Sequence, residues 1–285
     1  MVLQKISRLL FDITANIPRR LASARNAHKF VKISADTRTG IATLTLNRAP
    51  VNALNLRLLQ ELKSSIEELE QSNCSALILT SAPGSVFCAG LDLQELRRPN
   101  PQHLREFWET LQCVWRTLFS TTLPAAVAIN GHAPAAGCLL ALCCDYRVMV
   151  KNYKIGLNET RVGLAVPSWV IDTFLHVLPS RRIAERELTQ GRLVNSNEAL
   201  TLGLVDAVAN DDMQAVAKCE EFLHSFKDLD TKACANTKLL VRSEILAKFE
   251  KKKEDDLNRF LINVQSQEMQ QFLENYLQQL KQKIN

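Results

Sequence analysis

The most informative stretch for the fold is Ile129-Asn130-Gly131-His132-Ala133-Pro134-Ala135-Ala136-Gly137-Cys138, which connects a short apolar strand to an apolar helix. The strand before it, residues 125–129, is continuously apolar, as expected when both faces of a sheet are covered. The helix after it, which we predict to run to about Cys144, starts with free N–H groups and a positive dipole end. The small residues between them indicate either a turn that binds an anionic oxygen or a tight turn needed for packing.

A second segment, Phe87-Cys88-Ala89-Gly90-Leu91-Asp92, follows a predicted strand and loop in the same way. Gly90 permits an unusual backbone conformation, which can present the Leu91 N–H outward. The alternative is an ordinary turn in which Asp92 caps a helix. Each of the two segments can therefore aim backbone N–H groups into one pocket.

Glu159 lies in the run Ile155-Gly156-Leu157-Asn158-Glu159-Thr160-Arg161-Val162-Gly163. A lone glutamate is more often on the surface than catalytic, but the neighbours of this one are apolar. If Glu159 is buried, its pKa rises and it can serve as a base near neutral pH. A single base that faces a pair of amide donors is suited to removing a proton next to a carbonyl group.

The rest of the chain alternates strands and helices from about residue 30. We predict strands at 41–46 and 76–80 and helices at 54–70 and 103–119. From residue 211 onward the pattern is helical, and the last helix, about 255–282, carries a broad apolar stripe. Such a stripe packs on the body of the protein, on a neighbouring subunit, or on both. The predicted organisation is a core over 29–210 and a helical region over 211–285 for oligomerisation and pocket closure.

Composition excludes several classes of function. The chain has 285 residues, 46% of them hydrophobic, which suits one large domain. Much of its net charge of +5 lies in the first thirty residues, so nucleic acid is a poor guess as partner. No apolar run approaches the roughly 20 residues of a membrane span. The eight cysteines form no CxxC pair and the five histidines have no metal-ligand spacing, so we expect reduced thiols and no metal site.

The first 28 residues are basic and carry leucine and isoleucine at helical spacing, with Asp12 as their only acid. This is the pattern of a mitochondrial transit peptide, which predicts the mitochondrial matrix as location. The alternative is a disordered basic tail.

Four ordered segments together resemble the crotonase (enoyl-CoA hydratase/isomerase) superfamily. They are the run Asn47-Arg48-Ala49-Pro50-Val51-Asn52-Ala53-Leu54, the Phe87–Asp92 segment, the Ile129–Cys138 segment and Cys144-Asp145-Tyr146-Arg147. The resemblance covers about residues 30–210. It implies an α/β fold, a crotonase-like spiral of ββα units with a helical C-terminal region. Within the family, the run at 156–160 is most similar to mitochondrial Δ3-Δ2-enoyl-CoA isomerases.

The resemblance also implies roles for residues. The backbone N–H groups of Leu91 and Ala136 would hold the thioester oxygen, and Glu159 would move the proton. Hydratases carry a second glutamate where this chain has Leu139, which favours isomerisation over hydration. Other substrate-binding positions would be Ala89, Gly90, Gly137, Leu139, Phe107, Trp108 and Trp169.

These roles imply an isomerase that converts 3-enoyl-CoA to trans-2-enoyl-CoA in the β-oxidation of unsaturated fatty acids. Coenzyme A is then part of the substrate, no separate cofactor is expected, and the family suggests a homotrimer. Two alternatives stay open: a hydratase or other acyl-CoA enzyme on the same fold, and a non-catalytic protein that binds acyl-CoA or a partner.

Overall fold

The structure is a computed structural model that describes residues 30–284, with side chains through residue 279. The predicted transit peptide, residues 1–28, lies outside the described residues. No helix among the described residues is both long and apolar enough to cross a membrane.

A six-stranded sheet forms the centre of the molecule, in the order β1-β2-β3-β4-β6-β9. Only β1 is antiparallel to its neighbour, and the other pairs are parallel. Parallel strands are covered on both faces, which explains why every residue of β3 and β4 is buried and most of them are apolar. The strands are β1 Val31–Ala35, β2 Ile41–Leu46, β3 Ala76–Ser81, β4 Ala125–Ile129, β6 Tyr146–Val150 and β9 Ala207–Ala209.

Helices cover both faces of this sheet. On one face, α1 (Leu56–Glu70) and α2 (Pro101–Phe119) bury their apolar stripes in the main core, and their N-termini are capped by the side chains of Asn55 and Asn100. On the other face, α7 (Asp212–His224) packs against β4, β6 and β9. The first helix of the region after residue 211 therefore covers the second face of the sheet.

A second, three-stranded sheet lies beside the first and carries the residues around Glu159. Its order is β5-β7-β8, with β5 (Ala133–Pro134) parallel to β7 (Lys154–Gly156) and β8 (Val194–Asn195) antiparallel to β7. The pairing sets the segment after β7 next to the small-residue turn after β5.

Apart from the last helix, which is described below, five α-helices remain among the described residues. Three of them begin or end at residues that favour such positions: Gly191 and Gly203 adopt left-handed conformations after α5 and α6, and Asn195 and Asp230 cap the starts of α6 and α8. The helices are α3 Ala136–Leu142, α4 Ser168–Val177, α5 Arg181–Gln190, α6 Ser196–Leu202 and α8 Thr231–Gln265.

The predicted single helix at 255–282 is wrong. The structure has the end of α8 and a separate α9, Gln267–Ile284, with an extended residue, Ser266, between them. Two contacts explain the break. The Ser266 hydroxyl accepts a hydrogen bond from the Met269 N–H at 3.2 Å, and the Gln270 amide donates to the Val264 carbonyl at 2.7 Å. Both satisfy backbone groups that a continuous helix would pair internally.

Candidate active site

The backbones of the two predicted donor segments are in direct contact. The His132 N–H donates to the Ser85 carbonyl at 2.9 Å, and the Phe87 N–H donates to the His132 carbonyl at 3.0 Å. A Cβ on Gly131 would lie 2.4 Å from the Phe87 nitrogen, and one on Gly137 would lie 2.2 Å from the Cys88 oxygen. Since real Cβ atoms do not approach so closely, only glycine at these two positions lets the segments meet.

The Leu91 N–H points away from the loop that holds it. The Gly90 carbonyl, in the same peptide unit, accepts from the Leu54 N–H at 2.8 Å, and the next amide, Asp92, donates to the Leu54 carbonyl at 3.0 Å. Because the peptide is trans, the Leu91 N–H points opposite to the Gly90 carbonyl. Gly90 reaches this conformation with φ of 88°. The Leu91 N–H makes no hydrogen bond to any residue that the structure describes.

The Ala136 N–H is the first amide of α3, so it has no partner inside the helix. The carbonyl of Ala135 accepts from the Leu139 N–H at 3.0 Å, which leaves the Ala136 N–H pointing out of the helix start. Ala135 has φ of 50°, a conformation that alanine rarely adopts. A Cβ on Gly90 would lie 3.4 Å from the Ala136 nitrogen, so the two donor peptides are neighbours.

Arg48, which sequence reasoning did not identify, stabilises this arrangement. Arg48 forms an ion pair with Asp92 at 2.7 Å and donates to the Ala53 carbonyl at 2.7 Å. It therefore ties the residues after Leu91 to the loop before α1. Arg48 lies in the run at 47–54 that supports the family resemblance, so the sequence did point to this segment. Nothing in the sequence around Arg48 indicated that Asp92 is its partner.

Glu159 opens a short 3-10 helix, Glu159–Val162, three residues after β7. The Ala135 N–H donates to the Gly156 carbonyl at 2.9 Å, which anchors the Glu159 segment next to the Ala136 donor. On the far side, the Arg161 guanidinium donates to the Gly191 carbonyl at 2.6 Å. The base therefore comes from a segment that is held on both sides.

The Glu159 carboxylate is placed to act as a base near neutral pH. The residue is half-buried, and its Oε2 atom is enclosed without a hydrogen-bond partner among the described residues. Burial raises the pKa of Glu159 to about 7, since the charged form loses its hydration. The nearby Cys138 thiol has its pKa raised by burial first and by the Glu159 charge second.

A cavity of about 1090 Å³ brings most of the predicted residues together. Its lining includes Ala89, Leu91, Ala136, Leu139, Trp108, Glu159 and Trp169. Three predicted residues do not line it. Phe107 is fully buried, because its position on α2 points into the main hydrophobic core. Gly90 and Gly137 act through the backbone contacts described above.

The C-terminal helices also line this cavity, although sequence reasoning assigned none of their lining residues to substrate binding. The apolar stripe predicted that these helices pack on something, but periodicity alone does not show which residues face a ligand. Those of α8 and α9 that line the cavity include Asp256, Arg259, Phe260, Asn263, Tyr276 and Leu277.

Chemically, the cavity offers two unpaired amide donors and one carboxylate of raised pKa, surrounded by apolar side chains. Such a set stabilises a developing oxyanion while a proton is removed beside it. Among the described residues, no group of three or more His, Cys, Asp or Glu side chains could hold a metal ion.

Comparison with known proteins gives consistent results. Residues 36–283 match the family model described as enoyl-CoA hydratase/isomerase. The chain is 37% identical over 289 residues to "Enoyl-CoA delta isomerase 1, mitochondrial" of Mus musculus, covering 99% of each chain. The crystal structure of human mitochondrial delta3-delta2-enoyl-CoA isomerase superposes with a TM-score of 0.87 at 35% identity, covering 90% of this chain and 100% of that one. A crotonyl-CoA hydratase of Syntrophomonas wolfei is 30% identical, over only 71% of this chain and 75% of its own length. The predicted crotonase-like fold is confirmed.

We expect Gly137→Ala to destabilise the protein by about 1–3 kcal/mol. We also expect it to lower the activity of the protein that remains folded. The added Cβ would meet the Cys88 oxygen and push apart the segments that carry the two donors. The free energy of unfolding in denaturant measures the effect. Gly84→Ala is the control, since its Cβ would have no atom nearer than 3.9 Å and should change stability by no more than about 0.5 kcal/mol. Equal effects of the two substitutions would contradict the close-approach argument.

We expect the stability gained by Glu159→Gln to depend on pH. The folded protein holds the Glu159 pKa at about 7, above its value in the unfolded chain, so ionisation of Glu159 opposes folding. The wild type is therefore not penalised below about pH 4.5, loses stability as the pH rises to about 7, and is penalised by a constant amount above that. The difference between Glu159→Gln and wild type should grow by up to about 3 kcal/mol over that window. Denaturant unfolding at several pH values measures it, and a difference independent of pH would show that Glu159 is not buried as described.

Proposed function

Because the chain belongs to the enoyl-CoA hydratase/isomerase family, we propose that it is a Δ3-Δ2-enoyl-CoA isomerase that moves the double bond of a 3-enoyl-CoA to give trans-2-enoyl-CoA. The observation that carries this proposal is the single carboxylate of raised pKa in one cavity with two unpaired amide donors. The match to isomerases over nearly the whole chain supports it.

The thioester oxygen accepts hydrogen bonds from the N–H groups of Leu91 and Ala136. Glu159, as the carboxylate, removes a proton from C2, and the electrons move into a dienolate whose negative charge rests on that oxygen. Glu159 then returns the proton to C4, and the carbonyl re-forms as the double bond settles between C2 and C3. Two fixed amide donors contribute most in the transition state, where the oxygen carries the greatest charge; loss of one such donor typically costs about 3 kcal/mol.

Leu139 favours isomerisation over hydration. It is 3% exposed, lines the cavity and lies one helical turn after the Ala136 donor. A hydratase has to position and activate water beside the double bond, which is easier with a second carboxylate. An apolar side chain here excludes water from the dienolate instead. One proton carrier is enough for an isomerisation, because the proton that leaves C2 is the one that C4 needs.

The cofactor requirement, the location and the metabolic role of the protein are also proposals. The reaction needs no separate cofactor, since coenzyme A is part of the substrate and the proton carrier is a side chain. The transit-like pattern of residues 1–28 and the mitochondrial name of the mouse relative support the mitochondrial matrix and a role in β-oxidation of unsaturated fatty acids.

A homotrimer is proposed from the family resemblance, and exposed apolar residues of α8, among them Leu240 and Val241, are available for such an interface. Sedimentation should then give three times the chain mass of 32.0 kDa, and a monomer at all concentrations would contradict it.

We expect the purified protein to convert cis- and trans-3-hexenoyl-CoA to trans-2-hexenoyl-CoA and to add no water to trans-2-hexenoyl-CoA. Absorbance of the conjugated thioester and chromatography of the products distinguish double-bond migration from hydration. Hydration as the main reaction would overturn the choice of isomerase, and binding without turnover would favour a non-catalytic role.

Glu159→Gln is the matched control in this assay. We expect it to keep ligand binding and to lose turnover by about 10²–10⁴-fold, since the amide cannot accept the C2 proton. In the wild type, kcat/KM should rise with pH and level off above about pH 7, because only the ionised carboxylate is a base and its pKa is about 7. Full activity at pH 5 would contradict the assignment of Glu159.

A further inference from the structure

Asp256 is a buried carboxylate in the cavity that the mechanism does not use. It lies on α8, is 6% exposed and lines the cavity. Its Oδ2 atom accepts three hydrogen bonds, from the indole N–H of Trp108 at 3.0 Å, from the indole N–H of Trp169 at 3.0 Å and from the Gln112 side-chain amide at 2.9 Å. Trp108 and Gln112 lie on α2 and Trp169 on α4, so one oxygen joins three helices.

Burying a carboxylate to join helices is energetically unfavourable. Asp256 forms no ion pair with any cation among the described residues, so only neutral donors offset its lost hydration. Packed apolar residues often join buried elements at lower cost than a buried charge does. Other contacts already link α8 to the same helices, among them Lys248 with Asp172 of α4 at 2.7 Å and Glu250 with Arg116 of α2 at 2.8 Å. Helix docking alone therefore does not account for Asp256.

What Asp256 fixes is a group of rings, which we call the aromatic wall: Trp108, Trp169 and Phe260. The Trp108 and Phe260 rings are stacked with centroids 3.6 Å apart, and Trp108 meets Trp169 edge-on at 6.2 Å. All three line the cavity. Because an indole offers one donor, a bond from each N–H to the same oxygen determines how both rings are turned.

We propose that Asp256 is a positioning residue that sets the acyl chain length the enzyme accepts, by holding the aromatic wall in place. The inference rests on the proposed function, since it concerns the acyl part of the same substrate. In the proposed binding mode, a substrate held by Leu91, Ala136 and Glu159 would extend its acyl chain past Leu139 among the apolar side chains that line the cavity. The aromatic wall belongs to that part. A rigid wall there stops the chain at a defined length, whereas a mobile wall lets further methylene groups in.

The test substitution is Asp256→Asn, which has nearly the same volume. It keeps one acceptor oxygen but replaces the charge, and hydrogen bonds to charged acceptors are roughly twice as strong as those to neutral ones. Any change in chain-length limit therefore comes from weaker bonds to the indoles and not from added space. We expect the limit to move to longer chains, with about four-fold tighter binding for each extra methylene that the relaxed pocket buries.

The measurement is the dissociation constant of saturated acyl-CoA esters, from butanoyl to hexadecanoyl, by titration calorimetry. Saturated esters are not turned over, so the readout does not depend on activity. Asp172→Asn is the matched control, since it breaks a contact between the same two helices, α4 and α8, outside the aromatic wall. Binding of the short esters should stay within about two-fold in all three proteins.

A limit that moves to longer chains in Asp256→Asn and not in Asp172→Asn supports the proposal. The same limit in all three proteins overturns it and leaves Asp256 a structural residue, while the proposed function stands. Absence of acyl-CoA binding by the wild type would overturn the proposed function as well. If Asp256→Asn does not fold, Gln112→Leu replaces it, because Gln112 donates to the same oxygen without lining the cavity. We expect a smaller shift in the same direction, and no shift would overturn the proposal.

Discussion

The close approach of two backbone segments, 85–92 and 131–137, is the constraint on which the site depends. Gly131 and Gly137 permit it, since a Cβ on either would overlap a backbone atom of the other segment. The contact places the peptide of Leu91 beside that of Ala136, and their carbonyl groups are engaged elsewhere, so both N–H groups are left free. Arg48 and the pairing of β5 with β7 then hold the donors and the Glu159 segment in fixed relation. A bound oxygen therefore meets donors that need no rearrangement, which is the property that electrostatic stabilisation of a transition state requires.

Three polar groups of one cavity have no hydrogen-bond partner among the residues that the structure describes: two N–H groups and the Oε2 atom of Glu159. Because the Oε2 atom of Glu159 is enclosed, the ionised carboxylate loses hydration, and the arrangement lowers stability. It is complementary to a thioester enolate, whose oxygen needs donors and whose carbon chain exchanges a proton. The apolar surroundings that raise the pKa of Glu159 also exclude water, which would otherwise compete for the donors and trap the intermediate by hydration. Burial therefore accounts for both the strength of the base and the choice of isomerisation over hydration.

Sequence predicted the local features well and the long-range ones poorly. The small residues of 131–137, Gly90 and the apolar neighbours of Glu159 each indicate a backbone or burial property that the structure contains, because these properties depend on nearby residues. The three-dimensional partners were not accessible in this way. Asp256 reaches the cavity from a helix about 150 residues beyond Trp108, and its three donors come from two other helices. Two- and three-residue strands such as β8 and β9 are too short for any periodicity, and the break at Ser266 depends on side chains that bond to nearby backbone.

In the proposed geometry, one thioester oxygen contacts both amide donors while the carbon chain lies against Glu159. A crystal structure of the Glu159→Gln protein with a bound 3-enoyl-CoA tests this most directly. We expect the thioester oxygen at about 2.7–3.1 Å from the nitrogen atoms of both Leu91 and Ala136, with C2 and C4 of the acyl chain each next to residue 159. A thioester oxygen bound elsewhere, or a chain that leaves C2 or C4 out of reach of residue 159, would contradict it.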